Sequence, residues 1–167
     1  MTLVSKQQFR DGMARLSAAV NVVTTAGAAG RCGFTASAVC SVSDEPPTLL
    51  VCMNRASAMN PVFKQNGVLC INTLSAEQQH YSALFAGQTD VAMAERFHDE
   101  AWTVLQTGSP VLENALVSFD CQIADIKEIG SHSVMFCTVL GVAVWQSREG
   151  LVYFDRGYRM VPAAETP

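Results

Sequence analysis

Short segments rich in β-branched residues dominate the hydrophobic pattern of this chain, and polar or glycine-containing links separate them. Seven of these segments predict β-strands, at 19–25, 32–38, 48–53, 68–74, 115–126, 133–145 and 151–155. The links "KEIGSH" and "QSREG" between the last three are shorter than the crossover that parallel neighbours need, which favours antiparallel pairing. The pattern therefore predicts a mainly β fold, a small antiparallel barrel with a few helices at its rim.

Helical spacing is confined to four shorter segments, at 5–16, 57–66, 75–86 and 90–97. Ser5 and Gln8 have the capping-box spacing at the start of the first segment. Asn54 or Ser57 marks the start of the second, and Gly87 stands where the third would end. These segments predict peripheral helices, the last of them a single short turn.

Length and composition indicate one domain that buries much of its surface. With 167 residues the chain can form a sizeable core but not two catalytic domains, so we predict one domain over 1–167, with its core at about 9–160. Charged residues make up 16% of the chain, against roughly 25% in typical soluble proteins. So few charges indicate a surface that is buried against a second copy. The tail "VPAAETP" is expected to fray.

Charge and hydropathy argue against two classes of partner. The net charge is −4, and the lysines and arginines form no cluster, so nothing indicates nucleic acid binding. The N-terminal segment has no apolar signal region, and no apolar run approaches the roughly 20 residues that cross a bilayer. We therefore expect a cytoplasmic protein with neither a nucleic acid nor a membrane partner.

Motifs of common catalytic and metal sites are missing. The six cysteines lack a CxxC spacing and lie mostly in strand-like runs, so free buried thiols are expected. Histidines 80, 98 and 132 have no second ligand at metal-binding spacing. No GxSxG or HExxH motif is present, although a triad scattered along the chain stays open. The glycines of "GAAGRCG" precede a β-prone run, which favours a hairpin turn over a dinucleotide fingerprint.

Two local features have the chemistry to bind a ligand. His132 in "IGSHSV" lies in a tight turn between two long predicted strands, where it is either open to a ligand or simply exposed to solvent. The segment 52–63 leads from a strand into a helix, where Asn54 and Ser57 would suit an anion such as a phosphate or would only cap the helix. The residue pattern by itself leaves both alternatives open.

Several fragments taken together carry a resemblance to a known family. These are "FRDGMARLSAAVNVVTT", "GFTASAVCSVSDEPPTLLVCMNRASAMNPVF", "LCINTL", "FAG", "ERF", "VSFDCQI", "GSHSV" and "GLVYFDRGYR", in order over roughly residues 9 to 160. The chain resembles the short-chain flavin reductases, the NAD(P)H:flavin oxidoreductase components of two-component monooxygenases. It is most similar to the reductase component of 4-hydroxyphenylacetate 3-monooxygenase and to the similar reductase of pyrimidine degradation.

The resemblance implies a fold, a cofactor and an activity. The implied fold is a split antiparallel β-barrel of the FMN-binding type with Greek-key topology, which binds FMN or FAD at a homodimer interface. NADH or NADPH delivers a hydride to the flavin, and the reduced flavin passes to a flavin-dependent monooxygenase or another electron acceptor.

The resemblance also assigns site residues, none of which has to transfer a proton. The segment that lines the flavin matches Thr35, Ala36, Ser37, Ala38, Ser41 and Val42. The phosphate side matches Cys52, Met53, Asn54 and Ser57, with Phe85, Ala86 and Gly87 near the cofactor. The nicotinamide is expected beside Gly130, Ser131 and His132, while Tyr158 and, less strongly, Arg156 would close the pocket. Many relatives have Asp where this chain has Ser131, so no carboxylate role is expected there.

Several alternatives stay open at this level. The chain could be a flavoprotein that reduces another acceptor such as a cobalt corrinoid, a split-barrel module that binds flavin or haem without turnover, or a plain oligomeric scaffold. FMN and FAD are not distinguished. Neither are NADH and NADPH, because five arginines are candidate partners of a 2′-phosphate: Arg10, Arg15, Arg31, Arg55 and Arg148.

Overall fold

The computed structural model describes residues 2–146 and 149–163, so Arg148 and the last four residues of the tail predicted to fray lie outside the described residues. Ser5 and Gln8 form the predicted capping box, with Gln8 N donating to Ser5 Oγ at 3.1 Å and Ser5 N to Gln8 Oε1 at 2.9 Å. The helical segments are α1 (Lys6–Met13), α2 (Asn60–Asn66) and α3 (Gln79–Phe85), with 3₁₀ turns at Ala76–Gln78 and Met93–Phe97.

Strands account for most of the regular structure, and every paired strand is antiparallel, as predicted. The described strands are β1 (Ala18–Ala19), β2 (Asn21–Thr25), β3 (Cys32–Ala36), β4 (Val39–Asp44), β5 (Pro47–Asn54), β6 (Val68–Thr73), β7 (Trp102–Val104), β8 (Pro110–Leu112), β9 (Val117–Ile129), β10 (His132–Val144), β11 (Gly150–Phe154) and β12 (Gly157–Val161). The large sheet has the order β3-β2-β6-β9-β10-β5-β4, and two small sheets contain β1-β11-β12 and β7-β8.

The large sheet curls almost into a closed barrel. Its two edge strands are β3 and β4, yet β3 ends at Ala36 and β4 begins at Val39. Three Cα–Cα steps of about 3.8 Å keep these edges within about 11 Å of each other at that end. The barrel is therefore split beside Ser37 and Ala38, which confirms the predicted split antiparallel barrel. Crossovers that place β6 beside β2 and β5 beside β10 are typical of a Greek-key arrangement.

Two hydrophobic clusters fill the molecule. Inside the large sheet, Phe63 of α2 packs with core residues that include Ile71 and Met135, all three fully buried. Alternation along β10 explains this core, because Ser133, Met135 and Cys137 point inward while the residues between them are partly exposed. The second cluster joins α3 to the small sheet β1-β11-β12 through Leu74, Tyr81, Phe85, Phe97 and Leu151.

Several sequence-based boundaries were wrong. The strand predicted at 19–25 is two strands in different sheets, because Val20 N donates to Leu151 O at 3.1 Å whereas Asn21–Thr25 pairs with β3 and β6. The strand predicted at 32–38 ends at Ala36, and β4, β7, β8 and β12 were not predicted. The link "QSREG" does not join paired strands, since β10 and β11 lie in different sheets. The glycine-containing "GAAGRCG" does connect an antiparallel hairpin, β2–β3, as predicted.

All six cysteines are free, as predicted, but only four are buried: Cys32, Cys70, Cys121 and Cys137. Cys40 is exposed and Cys52 is half-buried, because both lie on the outer face of the sheet. Burial raises the pKa of Cys32 to about 11 and that of Cys137 to about 12, so both thiols are neutral at physiological pH. In the described ranges no helix is long and apolar enough to cross a membrane, and no three metal-ligating side chains cluster.

Candidate functional site

Three adjoining cavities form one groove beside the split of the barrel. We call them the β5 cavity, the central cavity and the α1 cavity, and their volumes are about 530, 200 and 660 Å³. Thr35 and Ala86 border both the β5 cavity and the central cavity. Ser37 and Tyr153 border both the central cavity and the α1 cavity. The groove thus runs from the end of β5, past the end of β3, to helix α1.

Small side chains line the central cavity together with a chain of hydroxyl groups. Thr35, Ala36 and Ser37 supply the small side chains. Thr35 Oγ1 donates to Ser82 O at 2.7 Å, and Ser82 Oγ lies 2.8 Å from Tyr158 OH. These bonds tie β3, α3 and β12 together, so the width of the cavity is set by three separate elements. A flat polar ring suits such a space.

Three of the four predicted phosphate-side residues, Met53, Asn54 and Ser57, border the β5 cavity, but Asn54 and Ser57 do not cap α2 as the sequence suggested. Met59 is the N-cap of α2 and makes no side-chain capping bond. Asn54 Oδ1 instead accepts from Ala56 N at 2.9 Å, and Ser57 Oγ accepts from Met59 N at 3.3 Å. The oxygens are used inside the loop before the helix, which leaves the Asn54 amide nitrogen and the Ser57 hydroxyl proton as donors toward the cavity.

A cation also borders the β5 cavity. The guanidinium group of Arg96 donates through Nε and Nη2 to Val91 O at 3.0 and 2.9 Å, which fixes its plane and keeps its charge at the cavity wall. The same wall contains four residues that the sequence assigned to the cofactor: Met53, Phe85, Ala86 and Gly87. One end of the groove therefore combines a fixed positive charge with neutral donors, which suits an anionic group.

Two arginines border the α1 cavity, and one of them is already paired. Arg10 and Arg156 border it, together with Ala38. Arg156 donates to the carboxylate of Asp11, and this hydrogen bond holds the pKa of Asp11 below its usual range. Asp155 N donates to Ala14 O at 2.8 Å, so the β11–β12 turn holds helix α1 over this end of the groove.

The Gly130–His132 turn lies at the rim of the groove and not inside it. Gly130 has a φ of 56°, a left-handed conformation that glycine adopts without strain. Ser131 Oγ lies 2.9 Å from His132 Nδ1, and His132 is exposed at the start of β10. His132 pairs across the sheet with Asn54, which borders the β5 cavity. Strand pairing thus brings His132, predicted to lie beside the nicotinamide, next to Asn54, predicted to lie beside the flavin phosphate.

Not every residue assigned by the resemblance faces the groove. Ser41 and Val42 are exposed on the edge strand β4, and Cys52 lies on the outer face of β5; none of the three borders the three cavities. Conversely, the groove uses residues that sequence reasoning missed: Val20, Ser82, Gln88, Arg96 and Tyr153. Val20, Arg96 and Tyr153 lie within fragments that carry the resemblance, although no site role was assigned to them. Ser82 and Gln88 lie outside those fragments, and only the tertiary fold brings them to β3.

The fold and the groove define a class of protein. A split antiparallel barrel presents a narrow cavity with small side chains and hydroxyl groups, and a corner with a positive charge and neutral donors lies beside it. None of the described residues that border the β5 and central cavities is an aspartate, glutamate, histidine or cysteine. Such a site is suited to a flat cofactor that supplies its own reactivity.

The chain belongs to the family described as flavin reductase like domain, whose model matches residues 13–162. Among similar proteins, the FMN reductase (NADH) RutF of Serratia proteamaculans (strain 568) is 56% identical over 155 residues, covering 93% of this chain and 87% of that protein. The FMN reductase (NADH) RutF of Variovorax paradoxus (strain S110) is 52% identical over 161 residues, covering 96% and 88%.

Solved structures give the same family. BorF, the flavin reductase component of a bacterial two-component tryptophan halogenase, is 28% identical and superimposes with a TM-score of 0.89, covering 96% of this chain and all of that one. The NADH:FAD oxidoreductase SgcE6 of Streptomyces globisporus, solved with NAD and FAD fragments, is 25% identical with a TM-score of 0.84, covering 95% and 96%. The fold class predicted from the sequence is therefore confirmed by relatives over nearly the whole chain.

Proposed function

We propose that this chain is an NADH-dependent flavin reductase that transfers a hydride from NADH to FMN and supplies the reduced flavin to a partner monooxygenase. The observation that carries the proposal is the central cavity, which the small residues Thr35–Ser37 line together with the hydroxyl groups of Ser82 and Tyr158. Family membership and the names of the relatives, FMN reductase (NADH), support the same activity and the same two cofactors.

The residues present fit a flavin. Ala36, Ser37 and Ala86 keep the central cavity narrow but unblocked, so a flat ring can approach the backbone of β3. The adjoining β5 cavity offers Arg96, Asn54 and Ser57 to a phosphate. FMN has one flat ring system and one phosphate, and the two cavities match these two parts in that order.

The chemistry of hydride acceptance is supplied by the flavin when it is bound. The residues of this chain bind and orient the flavin. Thr35 and Ser82 hold β3 against α3, and the Ser82–Tyr158 hydrogen bond keeps the tyrosine ring against the cavity. Proximity and orientation of two bound rings supply a large part of the rate in such reactions, so no proton-transfer residue is required.

His132 is proposed to contact NADH, because its ring is exposed at the rim and adjoins Asn54 of the β5 cavity. Its role is then to bind the nicotinamide or its ribose, with Ser131 fixing the ring through Nδ1. Gly130 allows the turn that exposes both side chains.

A homodimer is proposed from the outer face of β4, β5 and β10. Paired residues on that face are apolar: Leu50 lies opposite both Cys40 and Phe136, and Cys52 lies opposite Val134. The inner face of the same strands is already filled by core residues, so this second apolar face has no partner within the described part of the chain. Light scattering should give twice the chain mass, and Phe136→Lys should give a monomer.

We also propose a cytoplasmic location for the protein, as expected from its sequence.

The activity is tested by NADH oxidation with free FMN, with free FAD and without added flavin. Rapid oxidation that depends on added flavin, followed by reduction of oxygen or a partner, is expected. Oxidation only with a cobalt corrinoid and a retained yellow cofactor would favour direct reduction of another acceptor. Flavin or haem binding without NADH oxidation under any condition would leave a binding module and defeat the proposal.

A further inference from the structure

Glu128 of β9 lies at the centre of a polar cluster beside the Gly130–His132 turn. Its carboxylate accepts from Arg55 Nε at 2.9 Å, from Lys64 Nζ at 2.7 Å and from Ser133 Oγ at 3.1 and 3.0 Å. These three donors belong to the loop after β5, to α2 and to β10. The cluster therefore connects three elements at the base of the turn.

Arg55 connects this cluster to the backbone of the turn itself. Arg55 Nη1 donates to Gly130 O at 3.1 Å, and Arg55 N donates to Ser131 O at 2.9 Å. One planar guanidinium group thus bonds Glu128 and Gly130 at the same time, which a lysine ammonium on a flexible stem would reproduce poorly. Two successive carbonyls of the turn are held by one residue that directly follows β5 and Asn54.

We propose that Arg55 and Glu128 are positioning residues for NADH: they fix the Gly130–His132 turn relative to the β5 cavity, so that His132 meets the nicotinamide in a productive orientation. This inference rests on the proposed function. Neither residue borders the three cavities, so both act through the turn and not by touching the flavin.

Electrostatics supports this assignment. Hydrogen bonding from Lys64, with a further contribution from Ser133, holds the pKa of Glu128 below its usual range, so the carboxylate is charged at neutral pH. Because Arg55 already bonds Glu128 and Gly130, its charge is directed at the turn and not at a 2′-phosphate. The cluster is partly exposed, so we expect its loss to raise the KM for NADH only modestly.

The test compares Arg55→Met, Arg55→Lys and Glu128→Gln with a matched control, Asp125→Asn. Asp125 lies on the same strand, where its carboxylate pairs with Lys127 at 2.8 Å and accepts from Ile126 N, away from the turn. For each protein the KM for NADH, kcat, the dissociation constant of FMN and the melting temperature are measured. Arg55→Met and Glu128→Gln should raise the KM for NADH about three- to tenfold, in line with one charge-assisted hydrogen bond. Arg55→Lys should recover part of the loss.

Glu128→Gln gives the sharpest outcome, because positioning and bulk electrostatics predict opposite signs. Removal of a negative charge would lower the KM for the anionic dinucleotide if bulk charge decided it, whereas loss of positioning raises it. FMN affinity and the control variant should stay near wild type. An unchanged or lower KM for NADH in Glu128→Gln and Arg55→Met overturns the inference, as does a parallel loss of FMN affinity with a lower melting temperature. A wild-type protein that fails to reduce flavin with NADH refutes the proposed function instead.

Discussion

Gly33→Ala is expected to destabilise the protein, because β3 and α3 meet at this position with no room for a side chain. A Cβ atom on residue 33 would lie 2.9 Å from Phe85 Cε1, 3.0 Å from Phe85 Cδ1 and 3.0 Å from Val23 O. The carbonyl belongs to the paired strand β2 and cannot move without breaking the ladder. The Phe85 ring packs edge-on against Phe97 at 5.2 Å and Trp102 at 5.7 Å, so its displacement would disturb both contacts.

Overpacking of this kind costs about 1–3 kcal/mol, and the lower chain entropy of alanine offsets about 0.5–1 kcal/mol of it. The balance is a net loss of up to about 2.5 kcal/mol, which corresponds to a fall in melting temperature of up to about 10 °C for a chain of this size. Because Phe85 also borders the β5 cavity, FMN binding should weaken together with stability.

Thermal unfolding followed by circular dichroism measures the effect, and Gly12→Ala is the matched control. Gly12 lies in α1, and a Cβ atom added there would meet nothing within 4 Å, so alanine should leave the melting temperature unchanged or raise it. In a Phe85→Leu background, Gly33→Ala should cost less, with a coupling of about 0.5 kcal/mol or more. A Gly33→Ala protein that melts at or above the wild-type temperature would refute the steric argument.

Three further outcomes are expected. Ser37→Leu should weaken FMN binding strongly in a fluorescence titration while the melting temperature changes little, since residue 37 is exposed and borders the central cavity; normal FMN affinity would place the flavin elsewhere. His132→Ala should raise the KM for NADH or slow flavin reduction with FMN affinity retained, and an unchanged reductase rate would contradict its role. Burial raises the pKa of Cys32 to about 11 and that of Cys137 to about 12, from an ordinary value of 9.0, so the folded chain retains protons that the unfolded chain loses. The free energy of unfolding in urea should therefore be fully retained below pH 9 and fall as the pH rises toward 11; a flat profile over that range would contradict it.

Central strands could be predicted from the sequence because burial on one face imposes alternation on their residues. The strand predicted at 133–145 is observed at His132–Val144, where Ser133, Met135 and Cys137 are buried in turn. The edge strands β4 and β12 could not be predicted this way. β4 is exposed at five of its six residues, and an edge strand pairs on one side only, so its sequence carries no such pattern.

The site residues also differ in how far the sequence could identify them. The wall at Thr35–Ser37 lies in one continuous segment, so the family resemblance identified it. Ser82 and Tyr153 face the same cavity from α3 and β11, and their neighbours in sequence say nothing about β3. The contacts of Arg55 could not be predicted from the sequence either. Its partners Glu128 and Gly130 are more than seventy residues away, and only the pairing of β5 with β10 brings them together.

Arginines illustrate why sequence over-predicts phosphate sites. Five were candidates for a 2′-phosphate, but three of them already have a partner. Arg15 pairs with Asp155 at 3.4 Å, Arg55 pairs with Glu128 at 2.9 Å, and Arg31 lies 4.8 Å from the centre of the Phe97 ring. Each would have to give up a contact to bind a 2′-phosphate, which offsets part of the gain. The proposed use of NADH, which has no 2′-phosphate, needs no such site.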